Sequence, residues 1–323
     1  MKGNQFFPRL LQAALLPRHC QKSIIYAAIL FRSERTDMKR FFALLCMLIL
    51  LPTCSLAWEA LPLGGPAPYA PIADAYGEDG LSYDDGTLSI RIEFGEAYGV
   101  KVTYVYIQLT DASQLRTALA APYPSKKTLT VPQIAEGTNY VLAFNGDFFS
   151  YHSEGVIMRG GEMLRYNTSK KSYGRDMLII NDKGDFDFII PVTKDNYEAY
   201  TGTPREIFSF GPALIIDGEV QEYEYRKKTS CGYPTPAQRL ALCQLDTLSY
   251  LIVYTEGPEQ VENTGLSIPQ FTELLSSLGV KHAYNLDGGH SSTIYFNGRR
   301  INSPDTKDRK VGDIIYFATL RSE

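Results

Sequence analysis

Apolar and polar residues alternate along most of the chain beyond residue 80. An alternation held over about four to eight residues marks a strand with one buried face. "TLSIRIEF" and "VKVTYVYIQL" carry it and are rich in β-branched and aromatic residues. "GVIMRGGEMLRY", "DMLIINDKGDFDFII" and "ALIIDGEV" each break at a turn, at Gly160-Gly161, Asp182 to Gly184 and Asp217-Gly218, so each predicts a β-hairpin. "RLALCQLDTLSYLIVYTEG" predicts another strand pair, turning near Asp246-Thr247, and "TIYFNGRRIN" a hairpin at Asn297-Gly298. "NYVLAF" and "HAYNL" predict short buried strands, and "GDIIYFATL" a last strand.

The helical period is clear in one place. In "SIPQFTELLSSLG", Ile268, Phe271, Leu274, Leu275 and Leu278 form one stripe. Ser267 and Gln270 have capping-box spacing, Pro269 suits the first turn, and Gly279 is placed to end the helix. A shorter helix is expected in "DASQLRTALA" behind an Asp111 cap. Strands outnumber helices and no repeat of fixed period appears. The fold class is therefore α+β: a mixed, largely antiparallel sheet built from hairpins with a few packed helices.

The start of the chain reads differently. Met38 to Ala57 has a basic start at Lys39-Arg40, an apolar run from Phe41 to Leu51 and small residues at Ser55 and Ala57, which predicts a secretory signal. The run is shorter than the ~20 residues that cross a bilayer, so no stable span is expected once the signal is removed. An uncleaved anchor is the alternative. Residues 1–37 are basic and unpatterned and are expected to be an over-extended start. Residues 58–80 form a Pro/Gly-rich lead-in, and 81–323 the functional domain.

Charge narrows the partners. Residues 1–57 hold 8 of the 32 Lys and Arg and 2 of the 36 Asp and Glu, leaving the rest near a net charge of about −10. An acidic surface argues against nucleic acid as partner. Beyond the leader the only cysteines are Cys231 and Cys243. Export favours oxidation, so one disulfide is expected between them.

Two stretches carry chemistry. "NLDGGHSSTI" packs Asn285, Asp287, Gly288, Gly289, His290, Ser291, Ser292 and Thr293 behind a buried strand. A glycine turn needs no ligand, but neither does it need that run of polar residues. Gly288 and Gly289 would let backbone N–H groups converge into an anion-binding nest, with hydroxyl donors from Ser291 and Ser292. Asp287 beside a bound phosphate requires a cation. Arg239 is the first candidate, with Arg175 and Arg159 behind it. "NGDFFS" repeats the arrangement with Asn145, Gly146 and Asp147, as though forming a second wall of one cleft, with His152 close by. No HExxH, paired CxxC or GxSxG occurs, so no cofactor is required, although a single Mg or Ca ion on Asp147 or Asp287 is compatible.

"NLDGGHSST", "FNGDFF" some 140 residues earlier, and "QRLALC" ahead of "GLSIPQFTELLSSLG" together resemble the phosphodiester glycosidase family. The resemblance runs from about Leu88 to Leu320. Asn145, Gly146, Phe148, Phe149, Gly155 and Arg239 match its pattern, as do Asn285, Asp287, Gly288, Gly289, Ser291, Ser292 and Thr293. His290 and Cys243 stand where the family often has Gly, and Gln238 where it often has Pro. The resemblance implies an exported bacterial relative that hydrolyses a sugar-1-phosphodiester, such as a GlcNAc-1-phosphodiester, on glycans. It implies Asp287 as acid/base, Asp147 as second carboxylate or sugar ligand, and Arg239 as phosphate clamp. A metal-dependent phosphodiesterase cutting P–O and a non-catalytic glycan-binding protein are the alternatives.

Overall fold

The hairpins predicted from the sequence form, and every strand pairing among the described residues is antiparallel. The computed structural model describes residues 60–62, 69–168, 175–221, 234–258, 260–262, 264–303 and 306–322, all within the compact unit Trp58–Glu323. The expected signal segment and Cys231 lie outside the described residues.

The chain lays down β1 (Ser82–Asp84), β2 (Leu88–Ala97), β3 (Val100–Leu109) and β4 (Leu115–Leu119), then a short helix α1 (Val131–Ala135) and β5 (Leu142–Asn145). Next come β6 (Gly155–Arg159), β7 (Glu162–Asn167), β8 (Asp176–Asn181), β9 (Phe186–Ile189) and a second short helix α2 (Lys194–Glu198). They are followed by β10 (Pro204–Phe210), β11 (Ala213–Ile216), β12 (Glu219–Val220), β13 (Arg239–Asp246) and β14 (Ser249–Thr255). Helix α3 (Ile268–Ser277), β15 (His282–Asn285), β16 (Ile294–Phe296), β17 (Arg299–Arg300) and β18 (Asp313–Phe317) complete the order.

Three sheets result. One has eight strands in the order β1-β2-β3-β14-β13-β15-β11-β12. The others have five each, β7-β6-β10-β8-β9 and β17-β16-β5-β18-β4. The turns follow the residues that make them. Asp217-Gly218 and Asn297-Gly298 have positive φ at both central positions, the geometry a two-residue hairpin loop needs.

Helices are a minor part of the fold. Helix α3 carries the predicted capping box and packs Ile268, Phe271, Leu274 and Leu275 against Leu214, Ala241, Cys243 and Val253 of the large sheet. Cys243 is a free, fully buried thiol there, not one half of the expected bridge. The helix expected behind Asp111 shrinks to one 3-10 turn, Ala112–Gln114, whose capping box does form. The residues after it become β4, because Leu115 to Leu119 pair with Phe317 to Asp313 of β18 and that ladder outweighs local helix propensity.

Two strands place the site. β5 lies between β16 and β18 in one five-stranded sheet, and β15 between β13 and β11 in the large sheet. Each ends in a buried asparagine, Asn145 and Asn285.

Candidate active site

The two asparagine-ended strands meet. The Asn145 side chain donates from Nδ2 to the Asp287 carbonyl at 2.9 Å, and its Oδ1 accepts from the Thr293 amide at 3.0 Å. One buried amide thus spans 142 residues of sequence and ties the "NGDFFS" turn to the "NLDGGHSST" loop. Asn285 is anchored separately, donating from Nδ2 to the Gly211 carbonyl at 3.0 Å.

Glycines allow the close approaches. A Cβ on Gly146 would lie 2.5 Å from an Asp313 carboxylate oxygen, and one on Gly288 would lie 2.6 Å from the Gln238 carbonyl. The Gly288-Gly289 turn therefore exists partly to lie flat on the backbone entering β13. That placement corrects the anion-nest expectation. The Gly289 amide donates to Gln238, the Ser291 amide to Gly288 and the Ser292 amide to Gly289, so three of the N–H groups already have acceptors. Gly155 opens β6 directly against Ser209 of β10, where a Cβ would lie 2.5 Å from the Ser209 side chain.

The two carboxylates sit in different surroundings. Asp147 is buried. Its Oδ1 accepts from the Phe149 amide at 3.0 Å and lies 3.3 Å from Arg159 Nη2, and its Oδ2 accepts from the Ser209 amide at 3.2 Å. Asp287 keeps a partly accessible edge. Burial of the rest of the group pushes its pKa up to about 6, and the Asp147 charge adds to the rise. A hydrogen bond from Ser291 and the positive charges of Arg309 and Arg175 pull it back down.

The arginines redistribute the expected roles. Arg239 is buried, donating from Nε to the Leu266 carbonyl at 2.8 Å and from Nη2 to the Thr235 carbonyl at 2.6 Å. It braces the backbone ahead of β13, and Arg175 and Arg309 are the cations whose charge reaches Asp287. Arg159 is also buried, pairing with Asp313 at 2.7 Å and lying over the Phe208 ring at 4.1 Å.

His152 is neutral at pH 7: burial drives its pKa down to about 4, although Asp147 opposes the fall. His290 is exposed. Phe149 is buried, while Phe148 stacks on the exposed Tyr151 at 4.3 Å.

Buried polar atoms without a partner concentrate at this place. Among the described residues nine side-chain atoms are in that state, and they include Ser150 Oγ, His152 Nε2, Asn285 Oδ1, Ser292 Oγ, Thr293 Oγ1 and Asp313 Oδ1. Native proteins leave few such atoms, and six of the nine lie around this pair of loops. Among the described residues no group of three or more His, Cys, Asp or Glu is arranged to hold a metal ion. A cavity of about 880 Å³ lies elsewhere, at the His282 end of β15, and none of the candidate residues lines it.

The profile of the phosphodiester glycosidase family matches residues 138–318, more than half of the chain and the span that contains both loops. The chain belongs to the phosphodiester glycosidase family. Its members' domain is an enzyme, and this chain is one of them. The fold is shared with the zebrafish N-acetylglucosamine-1-phosphodiester alpha-N-acetylglucosaminidase catalytic domain, solved in a form auto-inhibited by its pro-peptide. The identity there is 16%, the TM-score 0.58, and the match covers 82% of this chain and 99% of that one. A hypothetical protein from Synechocystis matches at 15% identity and TM-score 0.48 over 71% of this chain and 62% of that one. No curated protein matches the sequence at a significant level.

Within this glycosidase domain, Asp313 and Ser209 escaped the sequence reading. Asp313 had a signal. It shares a strand face with Ile315 and Phe317, both in the main core, so period two already placed a carboxylate facing inward. Ser209 had none, because β10 mixes Arg205, Glu206 and Ser209 with apolar residues although most of it is buried.

Proposed function

We propose that the chain hydrolyses a sugar-1-phosphodiester on exported glycans, of the GlcNAc-1-phosphodiester kind, to free sugar and a phosphomonoester. The observation that carries this reading is the Asn145 bridge to the Asp287 backbone, which ties the loop of the partly accessible Asp287 to the turn that carries Asp147.

A phosphomonoester leaves without strong proton assistance, so the reaction asks mainly for an activated water and for cations near the phosphate. Asp287, with its pKa lifted to about 6, is mostly ionised at neutral pH yet basic enough to accept a proton. It takes the proton from a water whose oxygen bonds to the anomeric carbon, while the bond from that carbon to the phosphate oxygen breaks. Arg175 and Arg309 face the departing charge. Asp147, sealed behind Phe149 and Ser209, acts on Asp287 through its field.

The test follows both products from an α-GlcNAc-1-phosphodiester in oxygen-18 water. Label in the sugar, with turnover falling at least about a hundredfold in Asp287→Asn, is the expected result. Label in the phosphate would replace this reading with P–O cleavage. Binding without turnover, unchanged by Asp287→Asn, would replace it with a glycan-binding protein.

A further inference from the structure

We propose that Asp313 is a positioning residue for this site, acting through Arg159 on Asp147 and thereby setting how readily Asp287 holds a proton. The proposal rests on the assignment of Asp287 as the reacting carboxylate.

The geometry forms a chain of contacts. Asp313 opens β18 and is fully buried. Its Oδ2 accepts two bonds from Arg159, from Nε at 2.9 Å and Nη2 at 2.7 Å. The same Nη2 lies 3.3 Å from Asp147 Oδ1. Arg159 cannot turn away, because Nη1 donates to the carbonyls of Met158 at 2.9 Å and Ile207 at 2.5 Å, and Phe208 lies beneath the guanidinium. One guanidinium nitrogen is therefore shared between two carboxylates. Gly146 lies directly against the Asp313 carboxylate, so the pair is also locked to the turn that carries Asp147.

The charges do not balance as drawn. Asp313 faces Arg159 from β6, Asp147 from the turn after β5 and Glu206 from β10. Glu206 is itself held by the Gly160 amide at 2.9 Å and the Thr117 hydroxyl at 2.8 Å, with Arg205 adding charge. Burial, reinforced by Asp147 and Glu206 and opposed by Arg159, pushes Asp313 up to about 7. With Asp313 protonated, Arg159 is left to neutralise Asp147. With Asp313 ionised, Arg159 is divided between two anions and the field of Asp147 reaches Asp287 less screened. Loss of the Asp313 proton therefore raises the affinity of Asp287 for its own.

The measurement is a carbon-13 titration of aspartate side-chain carboxyls in the full chain, with the pH profile of kcat/KM beside it. In the wild type, the Asp287 resonance is expected to show its own step near pH 6 and a second, smaller inflection where Asp313 titrates. In Asp313→Asn, that inflection disappears while the Asp287 step near pH 6 remains, because asparagine copies the protonated carboxyl the wild type already holds there, and the kcat/KM profile loses the same inflection while KM changes little. A purely structural Asp313 would lower activity at every pH and leave the shape of the profile unchanged. An Asp287 resonance with a single step in the wild type overturns the proposal without any variant. If the resonances couple but no sugar is released, the assigned reaction fails and the coupling stands.

Discussion

The two loops begin alike and end as opposites. Each leaves a buried strand through an asparagine and places an aspartate two residues later. Asp147 is then closed in by two backbone amides and an arginine, whereas Asp287 keeps an open edge and a hydroxyl partner. The same short motif has produced a carboxylate that holds the structure together and one that remains available for chemistry. The difference lies in what packs against each: β10 supplies Ser209 over the first, and the second keeps intermediate exposure.

Removing the enclosed carboxylate should give the largest effect. Asp147→Ala leaves the Phe149 and Ser209 amides without acceptors and Arg159 with one counter-charge fewer, and should cost about 3–5 kcal/mol in urea unfolding. Asp287→Asn should act in reverse. Sugar release falls at least about a hundredfold, roughly 2.7 kcal/mol of barrier, while the fold is retained.

The stability of Asp287→Asn sharpens the contrast through its pH dependence. A carboxylate whose folded pKa is raised from 3.8 to about 6 favours folding when protonated, and that contribution is lost as pH rises through this window. The asparagine variant should match the wild type near pH 3.5 and become the more stable of the two above pH 6, read as Tm against pH.

Asn145→Ala breaks the link between the loops and should cost about 1–3 kcal/mol, with activity falling at the same time. Smallest in stability terms is Arg175→Met. It should leave Tm within a few degrees and raise KM for the phosphodiester by about tenfold, as expected for a lost charge contact of roughly 1.4 kcal/mol. Arg239→Met should do the opposite, lowering Tm because two backbone carbonyls lose their donor.

Much of this was legible in the sequence because the signals were local. Asn297-Gly298 and Asp217-Gly218 specify their own turns, and Ser267 with Gln270 specifies the start of α3. The site loops were legible for the same reason: Asp287 and Asn145 sit in short stretches whose composition suits no plain turn. What stayed hidden depends on residues distant in sequence. Leu115 to Leu119 became a strand only because β18 lies beside them. Arg239 looked like a clamp until Leu266 and Thr235 were seen to occupy it, and the sealing of Asp147 required Ser209 from another sheet.

The Asn145 bridge has one more consequence, for when the two loops are joined. Its two ends come from different sheets and are separated by 142 residues, so the contact closes a long loop that no local folding event can supply. A nascent chain holding only the first sheet elements has Asp147 but no Asp287 loop for Asn145 to bind. The bridge is therefore absent until the C-terminal third has been made and folded against the rest, so the two loops are joined only in the finished chain.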